Sequence, residues 1–394
     1  MKKSLIAVAV AGLFAAPVAM ADVAISGAIN LGVQVGKSGS DTAGNSGLSR
    51  NQLFPSYSNF NLSSTDDIGN GNKVIFNYQF DISGTSSANP GSAGGAIGNR
   101  NSYLGFAGNW GAFKMGTNEN VYERYMYQAD PTDGAMGTGG NLNILGTPGA
   151  GTVFEVGQGN CGPANGCVGF YRRAEQTIWY ESPNWNGFTF EVDYSLSAFK
   201  SAGPTGTDPK ILSIGGKYAP EGMPFYVDVA YEKHDDMFGA NKISGVTTGS
   251  GSSDTGLQIG GGWMLGDLGL HLRYEMLSYE TDGLSVAGDV SQVERDAIWF
   301  AVKYSLPSGY IGAQLGIAKE YDCVQVGGGC TAPDTGAKMF GIGYFHNLSK
   351  QSQLQFVYGR TDNDRAGSYI QIGAPLSGDG ADHQAFLVNL KHTF

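Results

Sequence analysis

Beyond its first residues the chain holds nothing near the roughly 20 consecutive apolar residues that a spanning helix needs, and mean hydropathy is −0.17. A helical membrane protein is excluded. Charge is also scarce, at 15% of residues, and acids outnumber bases 35 to 24, so no nucleic-acid partner is expected. There are four cysteines and five histidines, with no Cys-x-x-Cys, Cys-x-x-Cys-His, G-x-S-x-G or H-E-x-x-H. Zinc-ribbon and c-type haem readings fall, and neither enzymatic chemistry nor a cofactor or metal finds an anchor. LGVQVGKS approaches a phosphate-binding pattern, but Leu31 stands in the place of its first glycine and no helix follows.

MKKSLIAVAVAGLFAAPVAMA, with Lys2 and Lys3, an apolar run and Ala19-Met20-Ala21, reads as a secretory signal peptide spanning 1–21 and cut before Asp22. A membrane anchor is the rival reading, but the run is short and no second basic flank follows. Loss of Lys2 and Lys3 takes the 24 basic residues to 22 against 35 acids, a net charge of −13. Residues 22–394 then contain no linker or composition break, so one large unit is expected.

What is present in quantity is 62 glycines with 20 each of Tyr and Phe, which favours short strands and turns over helices. Period-two alternation recurs. In VIFNYQFDI, Val74, Phe76, Tyr78, Phe80 and Ile82 alternate with Ile75, Asn77, Gln79 and Asp81; in FTFEVDYSLS, Phe188, Phe190, Val192, Tyr194 and Leu196 alternate with polar residues that include Glu191 and Asp193. One face is apolar, the other wet and charged. FYVDVAYE, LHLRYEM, DAIWFAVKYSL and QLQFVYG follow suit.

A soluble sandwich would alternate too, so the connections must decide. Every second one is tight: IGNGN, GNWG, SPNWNG, APEGM, LGDLG, LPSG and NLSKQS. Those between are long and polar, such as GTSSANPGSAGGAIG and GRTDNDRAGSYIQIGAPLSGDG. About sixteen strands result, with both termini at the plain end, which predicts an all-β, closed antiparallel transmembrane barrel. Tyr180, Phe188, Tyr218, Phe225, Trp263, Tyr304, Tyr344 and Phe394 form one aromatic girdle and Tyr78, Phe80, Tyr194, Tyr231 and Tyr358 the other. Closure requires the last strand, AFLVNLKHTF, to pair with the first, DVAISGAINLGVQV. In outer-membrane barrel families a terminal aromatic such as Phe394 is also read by the barrel assembly machinery, although His392 stands where Tyr is usual.

The segments NFNLSSTDDIGNGNKVIFNYQFDIS, GNRNSYLGFAGNWGAFKMGTNENVYER, AEQTIWYESPNWNGFTFEVDYSLS and the closing VNLKHTF resemble the Gram-negative trimeric porins over essentially the whole mature chain. The resemblance implies a homotrimer in the cell outer membrane, transport of ions and small hydrophilic solutes, and a third outer loop, here 118–172, folded into the lumen. It further implies an eyelet in which loop acids, Glu123, Asp130 and Asp133, face wall bases, Arg100, Lys114 and Arg173. Ala28, Asn59 and Thr117 stand where that family often has a base. Counting inward charges, the loop acids tip a near balance towards a mild cation preference. Acids of the outer loops suit divalent ions and lipopolysaccharide.

The cysteines fall in CGPANGC and CVQVGGGC, both in expected outer loops of an exported chain, so disulfides Cys161–Cys167 and Cys323–Cys330 are expected over a metal site or free thiols. NVYERYMYQAD reads as a short loop helix on which Tyr122, Tyr125 and Met126 either pin the loop to the wall or offer a sugar-stacking platform. A substrate-specific porin, a glycan-binding β protein and a surface adhesin are the alternatives to passive diffusion.

Overall fold

The structure is a computed structural model describing residues 23–40, 47–54, 58–82, 100–132, 138–149, 169–171, 173–196, 208–237, 239–240, 251–375 and 379–394. The expected leader 1–21, Asp133, Cys161 and Cys167 lie outside the described residues.

The strands run β1 (Val23–Ser40), β2 (Leu48–Phe54), β3 (Asn59–Gly69), β4 (Asn72–Asp81), β5 (Ser102–Gly108), β6 (Gly111–Glu119) and β7 (Arg173–Glu181). They continue as β8 (Phe188–Ser195), β9 (Lys210–Tyr218), β10 (Phe225–Asp235), β11 (Gly251–Leu265), β12 (Leu268–Asp282) and β13 (Val290–Leu306). Last come β14 (Gly309–Ala318), β15 (Asp322–Gln325), β16 (Gly328–Gly329), β17 (Ala337–Asn347), β18 (Ser352–Asn363) and β19 (Ala381–Thr393). One helix, α1 (Val121–Tyr127), lies between β6 and β7.

All the strands form one antiparallel sheet of sequential neighbours. β1 is long enough to pair with β2 along Gly32–Ser38 and with β3 along Val23–Ala28, so β2 and β3 share one barrel position. β15 and β16 form an outer hairpin beside β13. Sixteen positions remain around the barrel, as the turn count predicts. β1 and β19 close it, from Ala28 opposite Thr393 to Ser40 opposite Ala381. Gly27 and Phe394 extend the seam with two backbone bonds, 3.0 and 3.1 Å. No edge is left to face lipid, where each unpaired amide would cost several kcal/mol.

Each of the seven tight connections is a turn at the plain end. The strands nevertheless reach further into the polar connections than their composition suggests: β11 begins at Gly251 and β18 runs to Asn363. Outward positions are the apolar ones, with Ile25, Leu31, Leu272 and Leu315 all exposed. Near the plain end Trp110 stacks on Tyr180, Trp185 on Phe188 and Trp263 on Phe225. Phe394 reaches Phe60, 6.4 Å between ring centres. His392, also outward and exposed, bonds Ser352 through Nδ1 at 2.9 Å.

The inner face departs from the expected uniformly wet lining. On β13, β17, β18 and β19 it carries Trp299, Met339, Phe345, Val357 and Leu387, all buried. Loops make this possible. The chain between β6 and β7 brings Met126, Leu142, Ile144 and Leu145 against that wall, and the chain between β18 and β19 adds Tyr369 and Ile372, so one side of the barrel has an apolar core. A second inward loop, not expected from sequence, therefore narrows the interior. Ile372 donates its N–H to Asn143 Oδ1 at 2.9 Å, and Ser368 to the Gly149 carbonyl at 2.9 Å, which ties the two loops together.

Candidate functional site

The loop after β6 is held by the wall at each of its described stretches. α1 has seven residues and no side-chain cap of its own. The wall supplies one: Val121 N–H donates to Asp193 Oδ2 at 3.0 Å and Tyr122 N–H to Ser213 Oγ at 3.3 Å. A carboxylate there faces the positive end of the helix as well as an orphan donor. Asn120 Nδ2 donates to Glu232 Oε2 at 3.1 Å. Gly215 on β9 gives the helix its seat, since a Cβ there would lie 2.5 Å from Val121 Cγ2.

Further on, Asp130 closes a turn, accepting from Thr132 N–H (2.7 Å), Thr132 Oγ1 (2.8 Å), Asn141 N–H (2.8 Å) and Gln314 Nε2 (2.8 Å). Gly139, at φ 68°, crosses directly over Gly359, where a Cβ would lie 2.4 Å from the Gly139 backbone. Only glycine on both sides permits that crossing. The deepest anchor is Glu275 on β12, fully buried. It accepts from Tyr122 OH (2.9 Å), from Gly146 N–H (2.8 Å) and from Arg295 Nη1 (2.9 Å), while Arg295 Nη2 reaches the carbonyls of Ile144 and Thr147. The two charges are matched inside the barrel, and both the Glu275 carboxylate and Arg295 Nη2 also hold the loop.

Arg124 leaves α1 towards the wall and pairs with Glu191, with Glu181 at 4.0 Å. Asp228 takes Arg273 at 2.8 Å, and Gln128 Nε2 at 2.7 Å. Tyr122 and Met126 are fully buried and Tyr125 partly so, with Tyr122 OH on Glu275, so these side chains pin the loop.

The bases named from sequence are on the wall, facing inward. Arg100 pairs with Asp81 at 2.5 Å and lies 3.9 Å from Glu119; Arg173 pairs with Glu119 at 2.5 Å; Lys114 pairs with Glu181 at 2.6 Å and sits over the Tyr103 ring at 4.8 Å. The loop acids do not confront them across open water. Asp130 is spent on its own turn, and Glu123 is buried at 4% exposure. Burial, with the nearby Glu119 charge, pushes the Glu123 carboxyl up to about 8. Asp133 falls outside the described residues.

With the loop lying along the wall from β8 round to β18, the open space is on the other side. A cavity of about 620 Å³ is lined by β1, β3, β4, β5, β6, β7, β19 and α1. Its charged lining is Lys114, Arg124 and Lys391 against Glu181. Lys391 has no ion-pair partner among the described residues. Ala28 and Asn59, read as missing bases, also line it, together with Asn61, Asn77, Gln79, Asn101 and Asn118. Sequence reasoning overlooked Lys391, although its place between outward Leu390 and His392 marks it as inward. Arg295 was overlooked likewise, and its alternation in VERDAIWF carries the same signal.

On the outer side, Cys323 and Cys330 are bonded, Cα atoms 5.5 Å apart, across the β15–β16 hairpin.

A family described as Gram-negative porin matches residues 7–366. Outer membrane porin protein 32 of Delftia acidovorans is 25% identical over 360 residues, 90% of this chain and 88% of that protein. An anion-selective porin from Comamonas acidovorans aligns with a TM-score of 0.68 at 18% identity, over 95% of this chain and 100% of the other. In-vitro folded OmpT, an outer membrane protein of Vibrio cholerae, aligns with a TM-score of 0.61 at 14% identity, over 96% and 100%.

Proposed function

This chain belongs to the Gram-negative porins and is a multi-strand outer-membrane protein, and on that premise we propose that it is a passive, water-filled diffusion channel for small hydrophilic solutes and ions. Sixteen strands are wide enough to leave an aqueous lumen. The inward loop 118–172 is its constriction, residues 1–21 its removable leader, and the working unit a homotrimer. Neither turnover nor a cofactor enters. Contacts with lipopolysaccharide and with the assembly machinery, through Phe394, belong to the same reading.

The sign of its ion preference is opposite to the one expected from counting inward charges. That count gave weight to Glu123, Asp130 and Asp133. Two of these are buried, and the inward acids Glu191, Asp193, Asp228, Glu232 and Glu275 lie under the loop, bonded to it or to Arg124, Arg273 and Arg295. Arg100, Arg173 and Lys114 still shape the eyelet, but with their charges offset by Asp81, Glu119 and Glu181. The observation that carries the reading is Lys391, which lines the cavity with no ion-pair partner among the described residues, while Lys114 and Arg124 are offset there by Glu181 and Glu191. Ions pass there within a Debye length, about 8 Å at physiological salt, in a field focused by low-dielectric walls. A mild anion preference follows. The porin from Comamonas acidovorans shares the fold; the sign here rests on this chain's own residues.

Purified protein in planar bilayers should give stepwise ohmic conductance, and proteoliposomes should swell in neutral sugars at rates that fall with solute size. Bilayers that stay silent with correctly folded trimer would refute the channel.

A further inference from the structure

The cavity has a second chemical character besides its positive charge. Asn61 on β3 stands directly opposite Gln79 on β4, with Asn59 and Asn77 one step along the same inward faces. Their donors are largely engaged: Gln79 Nε2 gives to Asn59 Oδ1 at 3.2 Å, Asn77 Nδ2 to the Asn101 carbonyl at 2.5 Å, and Asn61 Nδ2 to Ser26 Oγ at 3.3 Å. The side-chain oxygens of Asn77 and Gln79 accept no hydrogen bond among the described residues; that of Asn61 accepts none either but is shielded from solvent and so out of a solute's reach.

An array of acceptor oxygens beside Lys391, Lys114 and Arg124 asks for a solute that brings both a negative charge and hydroxyl donors. Chloride or an alkyl anion has charge but no O–H to give, so the amide oxygens would lose water without replacement. A neutral sugar has the donors but no charge to meet that of Lys391. We infer that the cavity is a binding site for polyhydroxylated anions, meaning sugar acids or phosphorylated sugars, held by Lys391 at the charge, with the paired Lys114 and Arg124 beside it, and by Asn77 and Gln79 at the hydroxyls. A volume of about 620 Å³ suits a six-carbon solute with its water, within the roughly 300–1,000 Å³ of small-molecule sites. This rests on the anion-preferring reading and narrows it to a solute class.

The test is block of potassium chloride current through the folded trimer by gluconate, glucose 6-phosphate, hexanesulfonate and glucose. A single net hydrogen bond is worth about two- to tenfold in affinity, so gluconate should half-block at roughly a fifth of the hexanesulfonate concentration or less. Glucose should be weaker still. Whichever of gluconate and glucose 6-phosphate acts at the lower concentration identifies the source of the shared chemistry. The double substitution Asn77→Ala, Gln79→Ala should raise the gluconate value towards that of hexanesulfonate. Equal block by gluconate and hexanesulfonate, or unchanged gluconate block in the folded double variant, would overturn the inference and leave anion preference intact. Cation selectivity in potassium chloride alone would overturn the reading beneath it.

Discussion

Replacing Glu275 by alanine should release the constriction loop without opening the barrel. Glu275 is fully buried and accepts from Tyr122, Gly146 and Arg295, so one substitution strands a hydroxyl, an amide and a guanidinium that is itself fully buried. Breaking one side of a buried ion pair costs about 3–5 kcal/mol, and each orphaned donor about 1–3 kcal/mol, terms that overlap and do not simply add. Even a loss of about 3 kcal/mol shifts the ratio of docked to undocked loop by roughly two orders of magnitude. The strand ladder that closes β1 on β19 does not involve Glu275. Single-channel recordings should therefore show more open-channel noise and higher mean conductance from a variant that still runs as folded trimer. Substituting both partners, Glu275→Leu with Arg295→Met, removes the stranded charge and should be quieter than the alanine variant. An alanine variant whose traces match the wild type would show that the loop is held by other contacts.

Glu123 should make barrel stability fall with rising pH. Its carboxyl is raised from an ordinary 4.5 to about 8 by burial and by Glu119, so between those values the folded state binds a proton that the unfolded state has lost, and stability declines across that window. Thermal unfolding of the detergent-solubilised trimer from pH 5 to 9 should show this decline, and Glu123→Gln should flatten it; parallel curves would contradict the assignment. Non-reducing peptide mapping should recover Cys323 joined to Cys330, and Cys161 joined to Cys167, with the strands still folded after reduction. All four thiols being alkylatable without reductant would end that account. Deleting Phe394 should lower the amount of inserted trimer in cells by more than it lowers the stability of detergent-refolded barrel, and equal insertion would count against an assembly role.

The barrel was legible in the sequence because lipid imposes period-two alternation on each strand and closure on the whole. The seven tight turns and the terminal row of Phe386, Leu390 and Phe394 follow from those two demands. The state of the charges was not legible in the same way. Alternation shows that Glu191, Asp193 and Glu275 point inward, but only the path of the loop after β6 decides that they meet amides and arginines instead of water. The same path explains Trp299, Phe345 and Val357 on an inner face expected to be wet: they meet loop side chains or one another. Loop paths depend on contacts between residues more than a hundred positions apart, such as Gly146 with Glu275, which no local period records. Nor does any local signal mark the inward fold at Tyr369 and Ile372, since Gly-rich polar flanks surround both.

The most direct test of the account is the zero-current potential of the purified trimer across a planar bilayer under a potassium chloride gradient, in the wild type and in Lys391→Met. The unpaired Lys391 in the cavity wall predicts a potential of the sign for chloride preference, shrinking as total salt rises and shrinking further in Lys391→Met. A potential of the opposite sign in the wild type would mean that acids read here as covered by the loop govern the pore.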